Sequence, residues 1–69
     1  MPGPYPYVMT FTLPKDSRYR LAVEAAARDL HLPITIDDET HEIRVTVSNP
    51  GEAFRFGEET SAHLEATKP

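Results

Sequence analysis

The sequence predicts a small α+β domain: a two-layer sandwich, β-α-β-β-β, with one helix packed on one face of a small mixed sheet. Two observations predict this class. Several segments alternate apolar and polar residues, as half-buried strands do. After the first of these segments comes an alanine-rich stretch without glycine or proline, which favours a helix. A chain of 69 residues has room for one such domain and one core.

The alternation predicts where the strands lie and how they face. Residues 7–13 form the first strand, residues 34–36 and 41–48 form a hairpin, and residues 53–56 form a short final strand. The apolar positions of these strands then share one sheet face: Tyr7, Met9, Phe11, Leu13, Ile34, Ile36, Ile43, Val45, Val47, Phe54 and Phe56. The polar positions share the other face: Thr10, Thr12, Thr35, Arg44, Thr46 and Arg55.

The helix is predicted over residues 17–31. Asp16 or Ser17 can cap it by accepting a hydrogen bond from a first-turn amide. It ends before Pro33, because the residue preceding a proline avoids the helical region. Apolar residues at three- and four-residue spacing form the stripe that covers the sheet: Tyr19, Ala22, Val23, Ala26 and Leu30.

The two ends of the chain differ in composition from the predicted domain at residues 7–57. Residues 1–6 contain three prolines and a glycine, which exclude a helix and predict an extended arm. Residues 58–69 are mostly polar, and they predict either a polar tail or a short C-terminal helix.

Composition excludes several functional classes. There is no cysteine, which removes disulfides and thiolate chemistry and is typical of a cytoplasmic protein. No apolar run is long enough for a membrane helix, so no membrane partner is expected. The net charge is −4, and residues 34–69 carry eight acidic residues against three basic ones. This acidic half disfavours binding to nucleic acid, which depends on cationic contacts with phosphates.

The segment Thr10–Asp16, a strand running through Leu13-Pro14 into a helix, resembles the opening of ribbon-helix-helix repressors. That resemblance implies a dimer in which two such strands pair and enter the major groove of DNA. Thr10 and Thr12 would then contact bases. It covers about residues 8–32, whereas the alternation that begins at Ile34 predicts a hairpin in place of the family's second helix.

Pro2 resembles the start of the small tautomerases, which use an N-terminal proline amine as a general base. The resemblance implies an oligomeric enzyme in which desolvation lowers the pKa of that amine. In this chain Gly3, Pro4 and Pro6 separate Pro2 from the first strand, which begins directly at the proline in that family.

Carboxylates and a histidine cluster at one predicted turn, which contains Asp37, Asp38, Glu39 and His41. A metal site needs three or four ligands that converge on one point. The cluster lacks the ordered ligand spacing of a calcium loop, and His31 and His63 lie elsewhere in the sequence. We therefore predict solvated turn residues and neither a metal nor a cofactor.

No segment carries a catalytic signature, so the sequence favours a non-enzymatic protein–protein interaction module, an adaptor, regulator or inhibitor. Its partner would be another protein or a second copy of the chain in a homodimer. Exposed strand edges and tyrosines suit such contacts. The predicted contact residues are Tyr5, Tyr7, Thr10, Thr12, Arg44 and Arg55. The alternatives are a dimeric DNA-binding regulator that uses the first strand and a tautomerase-like enzyme that uses Pro2.

Overall fold

The computed structural model describes residues 6–67 and shows two helices and a three-stranded sheet. The elements follow in the order β1 (Tyr7–Thr12), α1 (Arg18–Asp29), β2 (Ile34–Asp37), β3 (Glu42–Val47) and α2 (Pro50–Ala66). The α+β class is confirmed. The strand order in the sheet is β1-β3-β2, and both neighbouring pairs are antiparallel. The prediction of a mixed sheet is therefore wrong, because β3 lies between the two strands that run in the same direction.

The register places the apolar positions of all three strands on one face. Met9 and Ile34 both lie opposite Val45, and Phe11 and Ile36 both lie opposite Ile43. Side chains alternate between the faces of a sheet, so one register builds the apolar and the polar face together. Tyr7 has the inward parity but is 56% exposed at the start of β1, where the helices do not cover it.

Both helices pack on this apolar face. The core contains residues from α1, β3 and α2, together with Leu32, which follows α1: Val23, Ala26, Ala27, Leu32, Ile43, Val45, Val47 and Phe56. The small alanine side chains allow α1 to pack closely against the sheet. Tyr19, which was predicted to belong to the apolar stripe of this helix, is exposed. In the described part of the chain, no helix has the length and apolar character needed to cross a membrane.

The predicted final strand at residues 53–56 is wrong, because these residues lie inside α2. The Asn49 side chain accepts a hydrogen bond from the Glu52 amide at 2.9 Å, and Glu52 Oε1 accepts one from the Ser48 amide. Pro50 occupies the first turn, where its missing N–H has no consequence. Asn49, Pro50 and Gly51 have the composition of a turn, but they form the start of a helix, and α2 continues through residues 58–66.

The change from strand to helix separates two phenylalanines that were predicted to share a face. Two residues apart on a helix is a rotation of about 200°, so Phe54 and Phe56 point in nearly opposite directions. Phe56 is buried against Phe11, with ring centroids 5.9 Å apart, whereas Phe54 is 69% exposed. The core therefore receives one of the two aromatic rings.

Candidate functional site: a free strand edge beside a polar sheet face

The sheet face opposite the helices is open and polar. Thr10 and Thr35 lie on either side of Arg44, one on each outer strand, and Thr12 and Asp37 lie on either side of Glu42. A shallow depression of about 120 Å³ lies over the β2–β3 half of this face. The face thus brings together three of the predicted contact residues, Thr10, Thr12 and Arg44.

The charges on this face are already paired or oriented. The Arg44 guanidinium forms an ion pair with the Glu42 carboxylate. Asp37 Oδ1 accepts a hydrogen bond from the Glu39 amide at 2.9 Å. Two carboxylates against one guanidinium give the strands a negative balance, which opposes contact with phosphates.

The backbone of β1 has one side bonded to β3 and one side free. The Leu13 amide donates to the His41 carbonyl at 2.9 Å, which continues the β1–β3 ladder. The N–H and C=O groups alternate in direction along an antiparallel strand, so those of the odd-numbered residues point toward β3. The N–H and C=O groups of Val8, Thr10 and Thr12 therefore point outward, and no other group in residues 6–67 forms a hydrogen bond with them.

The side chains of β1 do nothing to block this edge. Strands at sheet edges are usually protected by lysines, prolines or bulges. The six residues from Tyr7 to Thr12 include no charge and no proline, and their pairing with β3 is continuous. Tyr7 and Val8 are also exposed, at 56% and 46%.

The β2 edge is shorter and is tied to the rest of the molecule. The Thr46 amide of β3 donates to the Pro33 carbonyl at 3.0 Å, so the backbone groups of Pro33 face β3. Because this direction alternates along the strand, only Ile34 and Ile36 of β2 direct their backbone groups outward. The strand ends at Asp37, and the next residue, Asp38, accepts a hydrogen bond from Arg20 of α1 at 3.0 Å.

Arg20 is the one buried charged residue in residues 6–67, and it connects α1 to the β2–β3 turn. Its Nε donates to Glu24 at 2.9 Å, and its Nη2 donates to Asp38. These hydrogen bonds, chiefly the one that Arg20 donates to Glu24, raise the pKa of Arg20 above its ordinary value. The guanidinium therefore keeps its charge, and this tie holds the end of β2 against α1.

Two of the predicted contact residues do not join the site in the structure. Tyr5 lies outside the described residues, as does Pro2, on which the tautomerase-like alternative depends. Arg55 was predicted on the polar face of the sheet, and this position is wrong because Arg55 is an exposed residue of α2. A role for Arg55 in binding a partner stays a prediction.

One group of potential metal ligands converges within the described residues, and sequence reasoning missed it. The ligand atoms of Asp29, Glu59 and His63 all lie within 4.8 Å of one another. The signal was the four-residue spacing of Glu59 and His63, which places both on one side of a helix. That spacing was uninformative while the segment was interpreted as either a tail or a short helix.

No known protein family, curated protein or solved structure matches this chain.

Proposed function

We propose that this chain is a protein–protein interaction module that binds by strand addition at the β1 edge, with a second copy of itself as the partner. The observation that supports the proposal is the row of outward N–H and C=O groups at Val8, Thr10 and Thr12. Strand addition satisfies such groups with backbone hydrogen bonds. An uncharged strand without proline or bulge is the form that accepts an added strand.

The pattern of β1 is complementary to itself. In an antiparallel pair, residues directly opposite each other lie on the same face of the sheet. The apolar side chains of β1 are at odd positions, so the apolar faces of two copies coincide only when odd residues lie opposite odd residues. A two-fold axis at Thr10 meets this condition and places Met9 opposite Phe11 of the second copy. It also places Val8 opposite Thr12, so that all three outward residues form hydrogen-bonded pairs. The two sheets would then join into one, with both sets of helices on the same side.

Small size adds a reason for a second copy. A domain of this length buries a modest share of its surface, and pairing supplies more burial. Tyr7 lies at the edge of the apolar face with 56% of its surface exposed. In the register centred on Thr10 it would lie opposite Leu13 of the second copy, so pairing covers an apolar side chain that the single chain leaves in water.

The test is self-association of the wild-type chain and of Thr10→Pro, measured by light scattering over a concentration series. Proline removes the outward N–H of residue 10, which forms no hydrogen bond within residues 6–67, and edge positions of this kind tolerate proline. The two-fold axis doubles the loss. Two hydrogen bonds at about 1 kcal/mol each correspond to a roughly thirtyfold weaker dimer.

Thr10→Val is the matched control, because it keeps the N–H and the side-chain shape and removes only the hydroxyl. We expect Thr10→Val to dimerise like the wild type and circular dichroism to show all three chains folded. A wild type that stays monomeric at every concentration contradicts the proposal. So does a folded Thr10→Pro that dimerises as tightly as Thr10→Val.

The DNA-binding alternative stays a prediction, and it needs the same dimer. It differs in requiring the polar face to enter the major groove between two rows of phosphates. The strand residues of this face carry two carboxylates and one guanidinium that is already paired. A duplex titration at low salt distinguishes the two functions. Salt-sensitive binding that falls in Thr12→Ala would favour the regulator.

A further inference from the structure

We infer that Asp29, Glu59 and His63 form a binding site for a divalent transition-metal ion of the zinc type, held between α1 and α2. The inference is independent of the β1 edge. His63 Nε2 lies 2.7 Å from Asp29 Oδ2, and the ligand atoms of all three side chains lie within 4.8 Å of one another. Two carboxylates and an imidazole are a donor set that zinc accepts, with water in the remaining position.

The fold brings the three donors together from two helices. Glu59 and His63 are four residues apart in α2, so their side chains lie on the same side of the helix. Asp29 is the last residue of α1 and faces them from the neighbouring helix. Donors around a tetrahedral zinc ion lie about 3.4 Å apart, because each is about 2.1 Å from the metal. The separation of up to 4.8 Å therefore closes with small rotations of side chains.

The surroundings favour a cation with an open coordination position. Asp29 ends α1, where the carbonyl ends of the helix dipole attract positive charge. The side chains of Asp29 and His63 are 50% and 33% exposed, so an ion can enter and keep bound water. An imidazole beside two carboxylates suits zinc, cobalt or nickel better than magnesium, which prefers oxygen ligands alone.

The acidic turn shows why convergence matters more than composition. It contains three carboxylates and His41, yet these side chains do not form a converging group in the described residues. Asp37 accepts a hydrogen bond from the Glu39 amide, and Asp38 accepts one from Arg20. Asp29 and His63 instead contact each other directly. A metal ion that enters between the Asp29 carboxylate and the His63 imidazole would bind both side chains as ligands.

The test is calorimetric titration of the full, tag-free chain with zinc chloride, repeated with cobalt and with magnesium. We expect saturable binding of one zinc ion per chain, weaker cobalt binding, no magnesium binding and a higher thermal midpoint with zinc. Loss of even an outer-shell partner typically weakens metal binding about 10- to 100-fold. Glu59→Gln and His63→Gln, which each remove a proposed ligand, should therefore weaken zinc binding at least about tenfold.

Two variants control for charge and for histidine count. Glu58→Gln removes a neighbouring carboxylate of α2 that is outside the converging group, and His41→Asn removes a histidine of the acidic turn. Asparagine suits position 41, where φ is 60°. We expect the zinc affinity of both controls to stay within about twofold of the wild type, a much smaller change than the loss of about tenfold or more expected for Glu59→Gln and His63→Gln. Absence of saturable zinc binding overturns the inference, and so does an equal loss in Glu58→Gln and Glu59→Gln.

Discussion

The two outer strands of the sheet pair with the same central strand, yet they offer very different edges. β1 has six residues, no charge and three residues whose backbone groups point outward. β2 has four residues, ends at Asp37 and is tied to α1 through Asp38 and Arg20. Natural sheets protect their edges in ways that β2 displays and β1 does not. The contrast indicates that β1 is the edge at which another strand is added.

Length also separates the two edges. Each outward residue offers one donor and one acceptor, so β1 presents three such pairs of groups and β2 presents two, at Ile34 and Ile36. Pro33, which precedes β2, accepts a hydrogen bond from Thr46 of β3, so its backbone groups face β3 and add nothing to the outer edge. The β1 edge is therefore the more accessible of the two, and substitutions at the β2 edge can serve as controls for substitutions at β1.

The greatest loss of stability should come from a substitution in β3, the central strand with which both outer strands pair. Ile43 of β3 is fully buried and lies opposite both Phe11 and Ile36. Ile43→Ala should lower the free energy of unfolding by about 2–5 kcal/mol, because it leaves a cavity in the core. Urea unfolding at low protein concentration measures this loss. A decrease below about 1 kcal/mol would mean that the edges do not depend on one core.

An intermediate effect should distinguish the edges through matched threonines. Thr10 and Thr35 flank Arg44 on the polar face, one on each outer strand. Thr10→Lys places two lysines opposite each other across the proposed two-fold axis, and like charges at that position destabilise pairing. We expect an association about tenfold weaker by light scattering, which corresponds to about 1.4 kcal/mol. Thr35→Lys, with the same added charge, should leave association unchanged, and equal weakening in both would contradict an interface at β1.

The smallest effect should come from the tie at the β2 end. Asp38→Ala removes the acceptor of the Arg20 hydrogen bond, and the Asp38 side chain is 61% exposed, so the change in global stability should be minor. Hydrogen exchange should become several times faster at the amides of Thr35 and Asp37, which face β3. Exchange at Met9 and Phe11 of β1 should not change. Uniform acceleration across the sheet would show that the tie supports the whole fold and not one edge.

Local patterns predicted the elements that have local causes. The strand at residues 7–13, the helix at residues 17–31 and the hairpin were predicted from alternation and alanine content, and the structure contains all three within a few residues. Residues 53–56 are too few to distinguish period two from a helix by apolar pattern. Two features stabilise a helix in this segment: the cap formed by Asn49 and Glu52, and the packing of Phe56 against Phe11.

The candidate site was predictable in its side chains but not in its backbone. Parity along the strands predicted that Thr10, Thr12 and Arg44 share a polar face, and the register places them there. Arg55 was assigned to the same face because its segment was interpreted as a strand. Which amides are free could not be predicted, because that depends on which strand lies in the middle of the sheet.

The α+β class, the faces of the strands and the first helix follow from residue periodicity and propensity over short segments, so they can be predicted from the chain alone. The order β1-β3-β2, and therefore which strands are edges, depends on how the elements pack in three dimensions. That packing also brings Asp29 to His63, which is 34 positions away along the chain. Such encounters depend on how the helices pack over one shared core, and no short segment encodes that packing alone.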